Sequence, residues 1–137
     1  MNEYALSISG LSKTYKNQVV ALEDIDLKVK TGDFFALLGP NGAGKSTLIG
    51  IITSLINKSS GKVYALGYDI DTHFSEAKSQ IGLVPQEFNF NSFEPIIEII
   101  RSQAGYFGLG YREAIEATED CLDKLGLWEK RKATPRE

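Results

Sequence analysis

One glycine-rich stretch constrains the fold of this chain more than any other part of its sequence. Residues 39–46 match the pattern G-x-x-x-x-G-K-[ST], which is the Walker A motif or P-loop, and Thr47 follows directly. The glycines of such a loop let the backbone turn tightly and approach a ligand closely, because they carry no Cβ atom. The stretch therefore predicts a phosphate-binding loop made of Gly39, Pro40, Asn41, Gly42, Ala43, Gly44, Lys45, Ser46 and Thr47.

The segments on either side supply the strand and the helix that this motif requires. Residues 33–38 form a short run that is apolar from Phe34 to Leu38, which is typical of a strand buried on both faces. Residues 47–55 carry apolar side chains at i, i+3, i+4 and i+7, the spacing of a helix. The order of strand, glycine loop and helix predicts an α/β fold of the P-loop type.

The residue types of the loop suit a bound triphosphate. The helix that starts near Lys45 should present unpaired N–H groups and about half a positive charge at its N-terminus, which favours an anion. Lys45 adds a full charge for the β and γ phosphates, and the Ser46 hydroxyl is placed to ligate Mg²⁺. We therefore expect a triphosphate and Mg²⁺ as ligands.

The composition of the chain narrows the classes of protein to which it can belong. A chain of 137 residues with 42% hydrophobic and 24% charged residues fits one globular domain. The net charge of −3 argues against a nucleic-acid partner. The single cysteine, Cys121, excludes a disulfide framework and fits a reducing cytosol. The start of the chain lacks a basic region and a following apolar region, and no apolar run approaches a membrane span. We expect no direct membrane insertion.

Periodicity predicts the other elements. Residues 4–32 should hold three short strands, at 4–8, 19–22 and 25–29, and residues 61–70 one more strand in the same antiparallel layer. Residues 71–80 suggest a short helix with Asp71 or Thr72 as N-cap. Residues 81–84 suggest a brief strand that Pro85 stops. Further helices are predicted at 95–107 and 111–125, and His73 is expected on the surface.

Three features together resemble one family. The spelling G-P-N-G-A-G-K-S-T, an aromatic residue at Tyr15 and a glutamine at Gln86 after a short predicted strand resemble the ATP-binding subunits of ABC transporters. The resemblance implies a P-loop NTPase with a RecA-like core and an antiparallel β-subdomain. It divides the chain into an antiparallel β layer at 1–32 and 61–70, a nucleotide-binding core with Q-loop at 33–58 and 81–87, and the start of a helical subdomain at 91–134.

The resemblance also assigns roles to single residues. Tyr15 would stack on the adenine, while Lys13 and Lys16 beside it are expected to be surface charges. Gln86 would be the Q-loop glutamine, which reaches Mg²⁺ or the attacking water, so Lys45 and Gln86 are the candidate catalytic residues. The aromatic residues that follow either dock the membrane subunit or pack locally, and both interpretations stay open for Phe88, Phe90 and Phe93.

The implied partners are a transmembrane permease subunit, exporter-like in our expectation, and a second ATPase subunit in a head-to-tail dimer. The implied location is cytoplasmic, at the inner face of the cytoplasmic membrane. The sequence lacks the family's L-S-G-G-Q-like signature, Walker B, D-loop and switch histidine. We therefore expect an N-terminal fragment that binds ATP but hydrolyses it poorly or not at all.

Two other classes were considered for the same motif. A soluble ABC ATPase of translation or DNA repair stays open, because a second ATPase half or large insertions would distinguish it and neither lies in these residues. A P-loop GTPase is disfavoured, because no [NT]-K-x-D motif, which reads guanine, occurs in the sequence.

Overall fold

The structure is a computed structural model that describes residues 3–86 and 90–136. The chain divides into two compact units, Met1–Val84 and Pro85–Glu137. The first unit holds a four-stranded sheet and two helices, and the second holds three helical segments. In chain order the elements are β1 Tyr4–Thr14, β2 Val20–Lys30, α1 Lys45–Ile52, β3 Ser60–Ala65, β4 Tyr68–Asp69, α2 Phe74–Ser79, α3 Ile96–Tyr106, α4 Tyr111–Lys124 and a 3₁₀ turn at Trp128–Lys130.

The sheet is antiparallel throughout, with the order β2-β1-β3-β4. Two strands, and not three, come from the first 32 residues, because the segments at 19–22 and 25–29 are parts of β2. Asp24 lies between them with a φ of 47°. Its N–H donates to Ser12 Oγ on β1 at 2.9 Å. This bond occupies the donor of the irregular residue, so the strand continues through it.

The predicted strand at 61–70 is confirmed within the same antiparallel layer, but it is folded into a hairpin. Leu66 and Gly67, with φ values of 46° and 87°, form the turn between β3 and β4. Two consecutive positive φ angles match the twist of a tight hairpin. Val63 and Ala65 on β3 face the core, while the alternate residue Lys62 is exposed.

The core of the first unit lies between the sheet and α1. Leu48 and Ile51 on α1 are buried, as their spacing predicts. The helix ends at Ile52, however, so Leu55 lies beyond it and is 71% exposed. The buried cluster around them is formed by Ile8, Leu11, Leu22, Val63, Ala65, Ile70 and Ala77.

Two predicted strands are wrong for this structure. Residues 33–38 and 81–84 carry no strand assignment. Phe34 is 99% exposed and Leu38 is 89% exposed, where burial on both faces was expected. A continuous apolar run forms a buried strand only when neighbouring strands hydrogen-bond to its backbone and cover its faces. Neither segment belongs to the sheet that the four strands in the described ranges form.

The predicted N-caps of α2 are also wrong, because the helix begins at Phe74 and its N-cap residue is His73. The side chains of Asp71 and Thr72 are engaged elsewhere. The Asp71 carboxylate pairs with the Lys58 ammonium at 2.9 Å. The Thr72 hydroxyl lies 3.0 Å from His73 Nδ1. His73 itself is exposed, as predicted.

In the second unit, α3 and α4 confirm the predicted helices. The buried face of α4 is Ala114, Thr118 and Leu122, and Leu125, the C-cap residue, is 62% exposed. Backbone N–H groups at the start of α3 donate hydrogen bonds to carbonyls of the residues that follow α4. Ile96 N–H donates to the Ala133 carbonyl and Ile97 N–H to the Arg131 carbonyl, each at 3.0 Å. These bonds fix residues 131–133 against α3.

The structure describes two of the three phenylalanines that could dock a membrane subunit. Phe88 lies outside the described residues. Phe93 is 69% exposed, but the Arg136 guanidinium lies over its ring at 4.1 Å from the centroid. Phe90 lines a cavity of about 260 Å³ beside α3. Local contacts therefore exist for Phe90 and Phe93, and a docking role remains a prediction.

Candidate functional site

The glycine loop leads directly into α1 and is packed against the sheet at its end. Gly44 is the N-cap residue of α1 and has a φ of 83°. A Cβ atom at Gly44 would lie 2.4 Å from the Ala21 carbonyl oxygen on β2. Gly42 has a similar φ of 84°, but a Cβ atom there would meet nothing within 4 Å. Gly44 is thus required both by its backbone conformation and by the close approach of β2.

The first turn of α1 offers backbone donors at the end of the loop. The first bond inside the helix runs from Leu48 N–H to the Gly44 carbonyl at 2.8 Å. The N–H groups of Lys45, Ser46 and Thr47 precede it, and helix geometry leaves such groups without an intrahelical acceptor. Together with the helix dipole these groups suit an anion, and phosphate binding at this end stays a prediction.

The Lys45 side chain places its ammonium group at the loop. Its ammonium donates to the Gly39 carbonyl at 2.7 Å and to the Pro40 carbonyl at 2.6 Å. The side chain therefore folds back over the residues that begin the motif. Phosphate oxygens are stronger acceptors for an ammonium than neutral carbonyls are, because the bond is then charged on both sides. The arrangement fits a phosphate group at the loop.

Tyr15 meets the same turn of α1. Its phenol oxygen lies 3.2 Å from Thr47 Oγ1, and the residue is half-buried. Its own N–H donates to the Val19 carbonyl at 2.9 Å, within the turn that joins β1 to β2. The structure thus brings together the predicted adenine-stacking residue and the last residue of the predicted phosphate-binding loop. An open cavity of about 470 Å³, formed by residues 13–17, lies beside the ring.

Lys13 corrects one sequence expectation. It is half-buried, and its ammonium lies 5.0 Å from the centroid of the Tyr15 ring. The same ammonium donates to the Asn57 carbonyl at 2.6 Å. Lys16 is exposed, as expected of a surface charge. Spacing along the strand could not reveal the role of Lys13, since its partner Asn57 lies 44 residues away.

Gln86 is the predicted Q-loop residue. It is exposed and lies in a bend at the start of the second unit. Its assignment to the Q-loop, and its contact with Mg²⁺ or the attacking water, stay predictions.

The residues at the loop fit magnesium held mainly through phosphate. Within residues 3–86 and 90–136, no group of three or more His, Cys, Asp and Glu side chains could hold a metal ion. Ser46 is exposed at the start of α1 and remains the hydroxyl ligand that the motif supplies. Mg²⁺ commonly takes one or two protein ligands and completes its shell with phosphate oxygens and water. Ser46 is compatible with that mode of binding.

The loop, the helix start and the flanking aromatic residue together define a P-loop nucleotide-binding protein. The sequence profile described as "ABC transporter" matches residues 22–137. The chain therefore belongs to the ABC transporter family, and its fold is that of the family's nucleotide-binding domains.

Individual relatives agree with this placement. The chain is 35% identical over 136 residues to the phosphonates import ATP-binding protein PhnC of Wolinella succinogenes, covering 90% of this chain and 50% of that protein. It is 34% identical over 118 residues to the Nod factor export ATP-binding protein I of Cupriavidus metallidurans, covering 86% and 39%. Among solved structures, CbiO1 of Clostridium perfringens, part of the ABC transporter complex CbiONQ, matches with a TM-score of 0.80 at 25% identity, covering 96% and 54%.

The chain thus spans about half the length of these relatives, or less. No helix within the described ranges is long and apolar enough to cross a bilayer.

Proposed function

We propose that this chain binds ATP with Mg²⁺ at residues 39–47 and forms part of the ATP-binding subunit of an ABC transporter. The observation that carries the proposal is the meeting of three features at the first turn of α1. The Lys45 ammonium lies over the loop, the backbone donors of the helix start face the same end, and the Tyr15 hydroxyl contacts Thr47 at 3.2 Å. A triphosphate and a base need these groups side by side.

Each group has a separate task in binding. Lys45 exchanges its carbonyl acceptors for phosphate oxygens, and the N–H groups of residues 45–47 bind the same anion. Ser46 holds Mg²⁺ by its hydroxyl, and the metal neutralises charge on the phosphates. Tyr15 offers a flat apolar ring to the adenine. The glycines keep the backbone close enough for these contacts.

The finer functions concern the whole protein. We propose that it hydrolyses ATP with Gln86 at the metal or the attacking water, pairs with a second ATPase subunit head to tail, and drives a transmembrane permease from the cytoplasmic face of the membrane. Family membership supports these proposals. The sequence favours an exporter-like partner, but one relative is named for import and another for export. The proposal therefore commits to transport and leaves its direction open.

Residues 1–137 alone are expected to show negligible ATPase activity. Phosphoryl transfer to water needs a carboxylate at Mg²⁺ and a group that positions the nucleophile, and the sequence carries no Walker B motif to supply the carboxylates. The measurement is steady-state phosphate release by the purified chain with ATP and Mg²⁺. Steady turnover that disappears in Lys45→Ala would contradict this expectation, whereas turnover that persists in Lys45→Ala would identify a contaminating enzyme.

Tyr15→Ala tests the nucleotide assignment. We expect it to weaken ATP binding by about 1 kcal/mol or more, because an aromatic stacking partner is lost. Binding of inorganic tripolyphosphate, which has no base, should stay unchanged in calorimetric titrations. Tyr4→Ala is the matched control, since Tyr4 is another half-buried tyrosine at the opposite end of β1. Equal losses for ATP and tripolyphosphate in Tyr15→Ala would refute stacking.

A further inference from the structure

Lys13 and Tyr15 form a pair whose geometry is fixed from both sides. The Lys13 ammonium lies over the Tyr15 ring, 5.0 Å from its centroid. Such a cation is attracted by the negative face of the ring. The Asn57 carbonyl accepts a hydrogen bond from the same ammonium at 2.6 Å. The lysine therefore touches the ring and the connection between α1 and β3 at once.

The connection that holds Lys13 is itself anchored to the end of β1. Ser59 N–H donates to the Ser12 carbonyl at 2.9 Å. Thr14 N–H donates to Ser59 Oγ at 3.0 Å, and the same hydroxyl donates to the Thr14 carbonyl at 3.3 Å. The Asn57 carbonyl, two residues before Ser59, is therefore a fixed point for the ammonium.

Tyr15 is consequently held at three points, one on its backbone and two on its side chain. Its backbone N–H is bonded to Val19, its hydroxyl contacts Thr47, and one ring face lies under the Lys13 ammonium. With one face covered by a cation, the opposite face is the surface that remains for a base. A ring with a single orientation loses less entropy when a ligand stacks on it.

We propose that Lys13 is a positioning residue for the nucleotide base, which fixes the Tyr15 ring and reserves one of its faces for stacking. The inference rests on the proposed function, in which Tyr15 stacks on adenine. Lys13 acts through the ring, because its ammonium lies over the ring face while it donates to the Asn57 carbonyl.

The test compares Lys13→Met with Lys13→Arg. The methionine keeps an apolar stem and removes the charge and the donor, whereas arginine can again donate to Asn57 and lie over the ring. We expect Lys13→Met to weaken ATP binding about three- to fivefold, and tripolyphosphate binding to stay unchanged. Lys13→Arg should restore ATP affinity to within about twofold, as rescue of a cation–ring pair requires.

A matched control lies on the same sheet. The Lys28 ammonium is 5.3 Å from the centroid of the Tyr4 ring, so Lys28→Met removes a similar pair away from the loop. We expect Lys28→Met to leave both affinities unchanged. Urea titration should show that both variants remain folded, with Lys13→Met the less stable of the two because it also loses the hydrogen bond to the Asn57 carbonyl.

A double variant separates this inference from the function on which it rests. In the Tyr15→Ala background, Lys13→Met should cause no further loss of ATP affinity, because its effect passes through the ring. An equal loss in both backgrounds, or a loss of tripolyphosphate affinity, would overturn the positioning role in favour of a direct contact. If Tyr15→Ala weakens ATP binding and Lys13→Met does not, the inference alone fails. If Tyr15→Ala leaves ATP affinity unchanged, the assignment of the base site and the inference fail together.

Discussion

Lys45→Ala is expected to weaken the binding of ATP and of tripolyphosphate by about 100-fold each, because hydrogen bonds to charged groups contribute about 1.5–3 kcal/mol. The lysine supplies the only full positive charge within residues 39–47. Its ammonium already lies at the loop, bonded to the carbonyls of Gly39 and Pro40. The measurement is isothermal titration of both ligands in the presence of Mg²⁺.

Both ligands matter for the interpretation of Lys45→Ala, since a residue that contacts phosphate affects them alike. Lys62→Ala is the control, because Lys62 is an exposed lysine on β3 outside the loop. It should leave both affinities unchanged. Unchanged ATP affinity in Lys45→Ala would contradict the assignment of the loop as the phosphate site.

Gly44→Ala is expected to lower the free energy of unfolding of the first unit by about 2–5 kcal/mol. The left-handed conformation of Gly44 costs a residue with a Cβ atom about 1–2 kcal/mol. The new methyl group would also lie 2.4 Å from the Ala21 carbonyl oxygen, so the backbone of α1 or β2 must shift, and such overpacking costs about 1–3 kcal/mol. ATP binding should be lost at the same time, because the donors of α1 move.

Gly42→Ala isolates the contribution of the close approach. Gly42 has a φ of 84°, within one degree of that of Gly44, but open space where a Cβ atom would lie. Its substitution should therefore cost only the conformational strain, about 1–2 kcal/mol. Urea titration monitored by circular dichroism measures both variants. Equal destabilisation by the two would show that β2 does not pack against Gly44.

Those parts of the fold that depend on local sequence were predictable. The spacing of Leu48 and Ile51 indicated the buried face of α1, and the pattern of residues 61–70 indicated a strand of the antiparallel layer. Both signals arise because one face of a regular element must be covered by apolar neighbours. The lengths of the elements were less predictable. The segments on either side of Asp24 read as two strands, since the bond from Asp24 N–H to Ser12 Oγ is invisible in the local pattern.

The parts that depend on distant neighbours could not be predicted in this way. Residues 33–38 have the composition of a buried strand, but a strand needs hydrogen-bonded partners, and the sheet of the described residues does not include this segment. Lys13 read as a surface charge, because its acceptor Asn57 is far away in sequence. The phosphate loop could be predicted from the sequence, because its motif occupies eight consecutive positions. The contacts that hold Tyr15 could not be predicted, because they come from α1 and from the connection between α1 and β3.

We propose above that one site, formed by residues 39–47 and Tyr15, binds both the phosphates and the base of ATP. The most direct test follows backbone and aromatic NMR signals of the purified chain during titration with ATP and then with tripolyphosphate, both with Mg²⁺. We predict that both ligands shift the amides of residues 42–47 most, and that ATP alone shifts the ring signals of Tyr15. Shifts concentrated elsewhere, or unchanged spectra from a chain whose amide signals are well dispersed, would contradict the claim.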